Sequence, residues 1–136
     1  MAGSKTDTFE TRLLNLIFKN TGTTLAALAN VYVALFTTVP SDSSAGVEVL
    51  TTGGTGYGRK QTAPADWTLT SGQVTNANEL LYTAVGAAYA GPVVGWGIFE
   101  AATGGTALYW GDCPSTTMAV GDIPRWAPGA IVITED

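Results

Sequence analysis

The stretch GGTGYGRK, residues 53–60, is the part of the chain nearest to a phosphate cradle. A P-loop needs a lysine directly after its last glycine, to reach the terminal phosphates, and then a hydroxyl residue to hold magnesium. Here Arg59 stands in the lysine's place and Lys60 in the hydroxyl's. No buried strand is readable before the stretch and no helix after it, so it reads as a glycine-rich entry to an edge strand. A second constellation is the carboxylate pair Glu100 and Asp112, near the two ends of a segment with hairpin character. Two carboxylates act as acid and base when one is buried enough to keep its proton and a cleft holds substrate between them. Nothing in the sequence marks such a cleft, and both read as solvated residues at strand ends. A serine or cysteine nucleophile would lack its base, because the chain has no histidine, and no G-x-S-x-G elbow occurs. Cys113 is the only cysteine, which excludes an intramolecular disulfide and the usual zinc sets of Cys and His. These residues predict no enzyme, no metal, no cofactor and no small-molecule substrate.

The remaining candidates are aromatic. The segment VVGWGIFEAATGGTALYWGD, residues 93–112, sets two of the four tryptophans, a phenylalanine and a tyrosine around Ala101-Ala102-Thr103-Gly104-Gly105. Trp67, Trp96, Trp110 and Trp126 admit three uses. They form a sugar-stacking platform, as in a carbohydrate-binding β module; they fill a core, where Trp is highly buried on average; or they anchor a subunit interface, where Trp and Tyr are enriched.

Those side chains must be positioned by strands. Residues 30–38 (NVYVALFTT) are β-branched and aromatic on both alternating faces, which predicts a central strand buried on both sides. Residues 39–48 read as a loop, residues 56–63 as a strand, and residues 66–85 as two or three short strands split at Ser71-Gly72 and residues 76–78. In the hairpin, strands near residues 93–100 and 106–113 put Trp96, Ile98 and Glu100 on one face, and Gly97 and Phe99 on the other. Across the turn, Leu108 and Trp110 face opposite to Tyr109 and Gly111. The two-glycine connection suits a type I turn followed by a left-handed position. Gly121-Asp122 predicts a turn, and residues 131–134 a last strand. Ahead of all this, Asp7-Thr8-Phe9-Glu10 fits a capping box with Asp7 as N-cap. Phe9, Leu13, Leu16 and Ile17 make an apolar stripe that Leu14 and Phe18 widen, and Gly22 follows as a stop. The prediction is one mainly β domain over residues 1–136, a β-sandwich or jelly-roll-like domain with one N-terminal α-helix (residues 8–20) and a short arm (residues 1–7).

Composition narrows the partners. With 136 residues, 46% hydrophobic and only 12% charged, the chain can bury one sizeable core and presents a lightly charged surface suited to packing against other proteins. Eleven acidic residues against six scattered basic ones argue against nucleic acid, whose binding rests on neutralising phosphates. The early apolar run, residues 13–18, contains Asn15 and follows Asp7, Glu10 and Arg12, unlike a secretory signal. Residues 26–36 are too few to span a bilayer, so no membrane partner is expected. Synthesis in the cytosol is the expectation.

The residues VYVALFTTVP after a capped helix, GTGYGRKQ, GWGIFEAATGGTALYWG, and the terminal GDIPRWAPGAIVITED together resemble a family of small tailed-bacteriophage virion proteins. Some of its members look like capsid decoration (cement) proteins, and members often carry the label tail fibre or minor tail protein. The resemblance runs from about Ser4 to the C-terminus, with SGQVTNANELLYTAV also fitting, and is most specific in the hairpin and the terminal segment. It implies a virion protein that works by assembly: a head-decoration protein, trimeric, on the outer surface of the capsid, with the major capsid protein and its own copies as partners. A tail-tip or tail-fibre-associated protein is the alternative that it implies. Under either reading the expected interface is a free N-terminal arm (Ala2, Gly3, Ser4 and Lys5, reaching to Asp7) together with the anchors Trp110 and Trp126.

Overall fold

The computed structural model describes residues 4–19 and 27–135. Along the chain run β1 (Ser4–Lys5), α1 (Asp7–Leu14) continued by a π-helical turn (Asn15–Lys19), β2 (Val31–Thr38), β3 (Val47–Glu48) and β4 (Lys60–Thr62). A 3-10 turn (Pro64–Asp66) leads to β5 (Trp67–Thr70), β6 (Gln73–Asn76) and β7 (Leu80–Leu81). The chain closes with β8 (Val93–Phe99), β9 (Tyr109–Thr116), β10 (Arg125–Trp126) and β11 (Val132–Thr134). The protein is mainly β, with antiparallel sheets and one N-terminal helix, as predicted.

The large sheet has the order β1-β9-β8-β2-β3, and β4 shares the outer edge of β2 with β3. β2 is central because its four middle residues, Val33, Ala34, Leu35 and Phe36, are all buried, which leaves solvent on neither face. Its register with β8 (Val33 opposite Ile98, Leu35 opposite Trp96) continues into β9 (Ile98 opposite Tyr109, Trp96 opposite Gly111). One face of the sheet therefore carries Val33, Leu35, Trp96, Ile98 and Tyr109. The other carries Tyr32, Ala34, Phe36, Gly97, Phe99 and Trp110. This is the alternation read from the hairpin sequence.

Two glycines make the faces fit. A methyl group on Gly111 would lie 2.6 Å from Trp96 Cε2, so the fully buried indole lies flat over a bare backbone. On the opposite face, a methyl on Gly97 would meet the Phe36 ring at 2.7 Å. Gly104 and Gly105 serve the turn instead: both hold positive φ, with open space where a side chain would go.

The second layer is the three-stranded sheet β11-β6-β5. Its inward residues Trp67, Val74 and Ile133, joined by Leu80 and Ile131, pack on Val33, Trp96 and Ile98 to make the main core. Asn76 closes this layer: fully buried, it donates to the carbonyls of Asn78 and Ala127 and accepts from the amide of Ile131. A second cluster (Leu35, Val49, Tyr57, Tyr82, Val93) continues the interior under the long loops. Its two tyrosine rings stack with centroids 6.3 Å apart. Tyr82 donates to the Val33 carbonyl, and Tyr57 accepts from the Leu35 amide while donating to Glu48. Burial, and for Tyr57 the nearby Glu48 carboxylate, pushes both phenols above their ordinary range.

Three local expectations change. Thr6, not Asp7, is the N-cap: its Oγ1 accepts from the Phe9 amide at 3.3 Å and also donates to the Ala107 carbonyl at 2.7 Å, a tertiary contact that Asp7 does not make. The helix accordingly begins at Asp7 and passes into the π turn at Asn15. Residues 56–59 are not paired in a ladder; of the expected 56–63 strand only β4 forms.

Candidate interaction surface

Of the residues expected to make contacts, Ala2 and Gly3 lie outside the described residues. Ser4 and Lys5 are not a free arm. As β1 they extend the large sheet antiparallel to β9, Ser4 opposite Trp110 and Lys5 opposite Tyr109, and Lys5 Nζ binds Glu135 Oε2 at 2.6 Å. This correction has a plain cause: β9 would otherwise begin as an open edge of unpaired N–H and C=O groups, and two residues of extended chain pair with its first two residues. Asp7, the far end of the expected arm, is helical.

The two anchors differ. Trp126 is half-buried, touches both core clusters, pairs with Leu80 across β10 and β7, and donates its indole N–H to Tyr82 Oη at 3.3 Å. Trp110 is half-buried on the opposite face of the large sheet, and its indole N–H is enclosed with no acceptor among the described residues. The four tryptophans make no common platform. Trp96 is 1% exposed, and Trp67 gives its indole N–H to Thr62.

The residues first considered for chemistry are spent on structure. Arg59 is a buried clamp: its guanidinium binds Glu48 through both oxygens at 2.9 and 2.8 Å, donates to the carbonyls of Ala101 and Gly104, and lies 3.5 Å over the Phe99 ring. It thereby ties the glycine-rich segment to the hairpin turn. Glu100 and Asp112 are not partners. Asp112 pairs with Gly95, five residues before Glu100, a separation of roughly 16 Å at the ordinary strand rise. Glu100 instead holds Arg12 in a bidentate pair at 3.0 and 3.2 Å. Cys113 is a free thiol packed beside the second cluster, and burial together with Asp112 raises its pKa.

The surface that the sequence reading missed lies at the helical end. α1 meets the body through Phe9, whose ring is 5.4 Å from that of Tyr109, and through the Arg12–Glu100 pair. Between helix and sheets opens an apolar cleft of about 510 Å³, lined among others by Phe9, Trp67, Leu69, Val74, Tyr109 and Ile133. At its rim, Lys5 and Tyr109 both hydrogen-bond Glu135. Burial alone would raise the Glu135 pKa, but these two donors outweigh it and hold the carboxyl below its ordinary range. Leu69 points inward with Val74 and Ile133 by register, yet it is 73% exposed, because the layers part there. On the helix, Leu14, Ile17 and Phe18 are 55%, 63% and 74% exposed. The available signal was that residues 9–18 are apolar around more than one face, wider than a helix needs to cover a single sheet.

No curated protein matches the chain. A family model described as "Podophage GP4 fiber I protein gp80" matches residues 4–134, from β1 through β11. By that match over nearly its whole length, the chain belongs to the podophage fibre I protein family, a family of structural proteins of the tailed-phage virion.

Proposed function

We propose that this protein is a non-enzymatic structural subunit of a phage fibre, a rigid β block held in place by contacts with neighbouring virion proteins. The observation that carries the reading is the distribution of apolar surface. Leu14, Ile17 and Phe18 on the helix and Leu69 at the cleft are exposed, as are Leu50, Val120 and Ile123 elsewhere on the surface. Of these, Leu14, Ile17 and Phe18 fall on one continuous helical segment, and apolar patches of that kind mark contact sites. The fibre description of the family supports the same reading.

Head decoration is a second reading, favoured by the net charge of −5 and by the absence of repeats in this sequence. An acidic block suits the outside of a DNA-filled shell. There it would bridge subunits of the major capsid protein and stabilise the assembled state by binding it selectively. Gold-labelled antibody against the purified protein separates the two on intact particles. Label confined to the tail end supports the fibre subunit, and label spread over the head replaces it with decoration. A sugar-binding role would require a stacking platform, and Trp110 alone does not make one.

A further inference from the structure

We propose that the exposed face of α1 and its π-helical continuation is a self-association surface, on which a second copy of this chain packs its own helix antiparallel. The inference goes beyond the virion role and does not depend on where in the particle the protein sits.

The apolar line is built by the helix geometry. Glu10, Leu14 and Phe18 follow one another at four-residue steps along α1 and its π-helical continuation, with Ile17 next to Phe18. Leu14, Ile17 and Phe18 are each more than half exposed, while the helix meets the body through Phe9 and Arg12. Leu16 on the same helix is 37% exposed, and Leu28 and Leu69, which line the cleft, are 41% and 73% exposed.

Charge selects the occupant and its direction. The acidic residues Asp7 and Glu10 lie in the first turn of the helix, and Lys19 ends it. A parallel pair would set Glu10 against Glu10 and Lys19 against Lys19. An antiparallel pair centred between Leu14 and Asn15 sets Glu10 of each copy against Lys19 of the other, twice by symmetry, within the reach of a long lysine side chain. A two-fold pair is therefore self-complementary in charge as well as in shape. This differs from the three-fold arrangement implied by the sequence resemblance.

Sedimentation velocity on the full chain tests the proposal. The wild type is expected to dimerise at micromolar concentration. Phe18→Glu should abolish the dimer, at least a 100-fold loss, while far-UV circular dichroism stays unchanged because Phe18 is already exposed in the single chain. Glu10→Lys and Lys19→Glu should each weaken association roughly 3- to 10-fold. The double variant E10K/K19E should restore it, a rescue that loss of folding cannot imitate. A trimer, or a dimer indifferent to the charge exchange, would overturn the antiparallel pairing. A wild-type monomer whose Phe18→Glu variant fails to enter virions would assign the patch to a different virion protein. The virion role stands or falls separately, by labelling on the particle.

Discussion

At the scale of single residues, the fold is decided by a few places where one atom has no room or no substitute. Gly111 is one, since any side chain there collides with the Trp96 indole that anchors the main core. Gly111→Ala is expected to destabilise the protein by about 1–3 kcal/mol, read from the urea midpoint, through overpacking in a site without slack. Arg59 is another. Its side chain is 5% exposed, and removing it strands Glu48, at 24%, with the carbonyls of Ala101 and Gly104. Arg59→Ala should cost on the order of 3 kcal/mol, with Arg59→Lys recovering only part of it, because a lysine keeps the charge but not the planar fork. Glu135 supplies a pH test. Its folded-state pKa is held below the unfolded value, so its contribution to stability is complete above the unfolded pKa and disappears as pH falls through the folded pKa. Unfolding midpoints should therefore decline on acidification, and Glu135→Gln should make that decline shallower. An unchanged slope would show that Lys5 and Tyr109 do not stabilise the carboxylate.

At the scale of elements, what was legible in the sequence was what depends on near neighbours. The β8–β9 pairing and its facing pattern follow from alternation within residues 93–112, and β5, β6 and β7 follow from the breaks at Ser71-Gly72 and residues 76–78. The helix cap was misplaced because Thr6 and Asp7 are both competent caps locally. The choice fell to Thr6 through its bond to Ala107, a hundred residues away in sequence. Thr6→Ala should lower stability by about 1–3 kcal/mol, combining the lost cap with a stranded carbonyl; Asp7→Ala should cost less, and melting curves of the two variants make the comparison. β1 had no sequence signal at all, because two polar residues become a strand only where an open edge accepts them. The candidate contact face was hidden for a related reason. Apolar periodicity says that a helix side is sticky, and only the structure says which part of it the chain itself has covered.

At the scale of the whole molecule, the two-layer β body and the exposed helical end divide the work. The body is cross-linked by polar contacts, from the Arg59 clamp to the Asn76 bridge. The helical end carries the exposed side chains on which the proposed self-association rests. The resemblance seen in the sequence led to the right class, a tailed-phage virion protein, and the family match places that class on residues 4–134. The choice between fibre and shell was not legible, since a compact acidic domain meets the physical demands of both. It turns on stoichiometry, because a fibre has few attachment points and a shell has many. The direct measurement is the copy number in purified virions, by quantitative mass spectrometry against the major coat protein. The fibre account predicts a small number of copies, far below that of the coat protein. A ratio of the same order as the coat would contradict it and make the protein a decoration of the head.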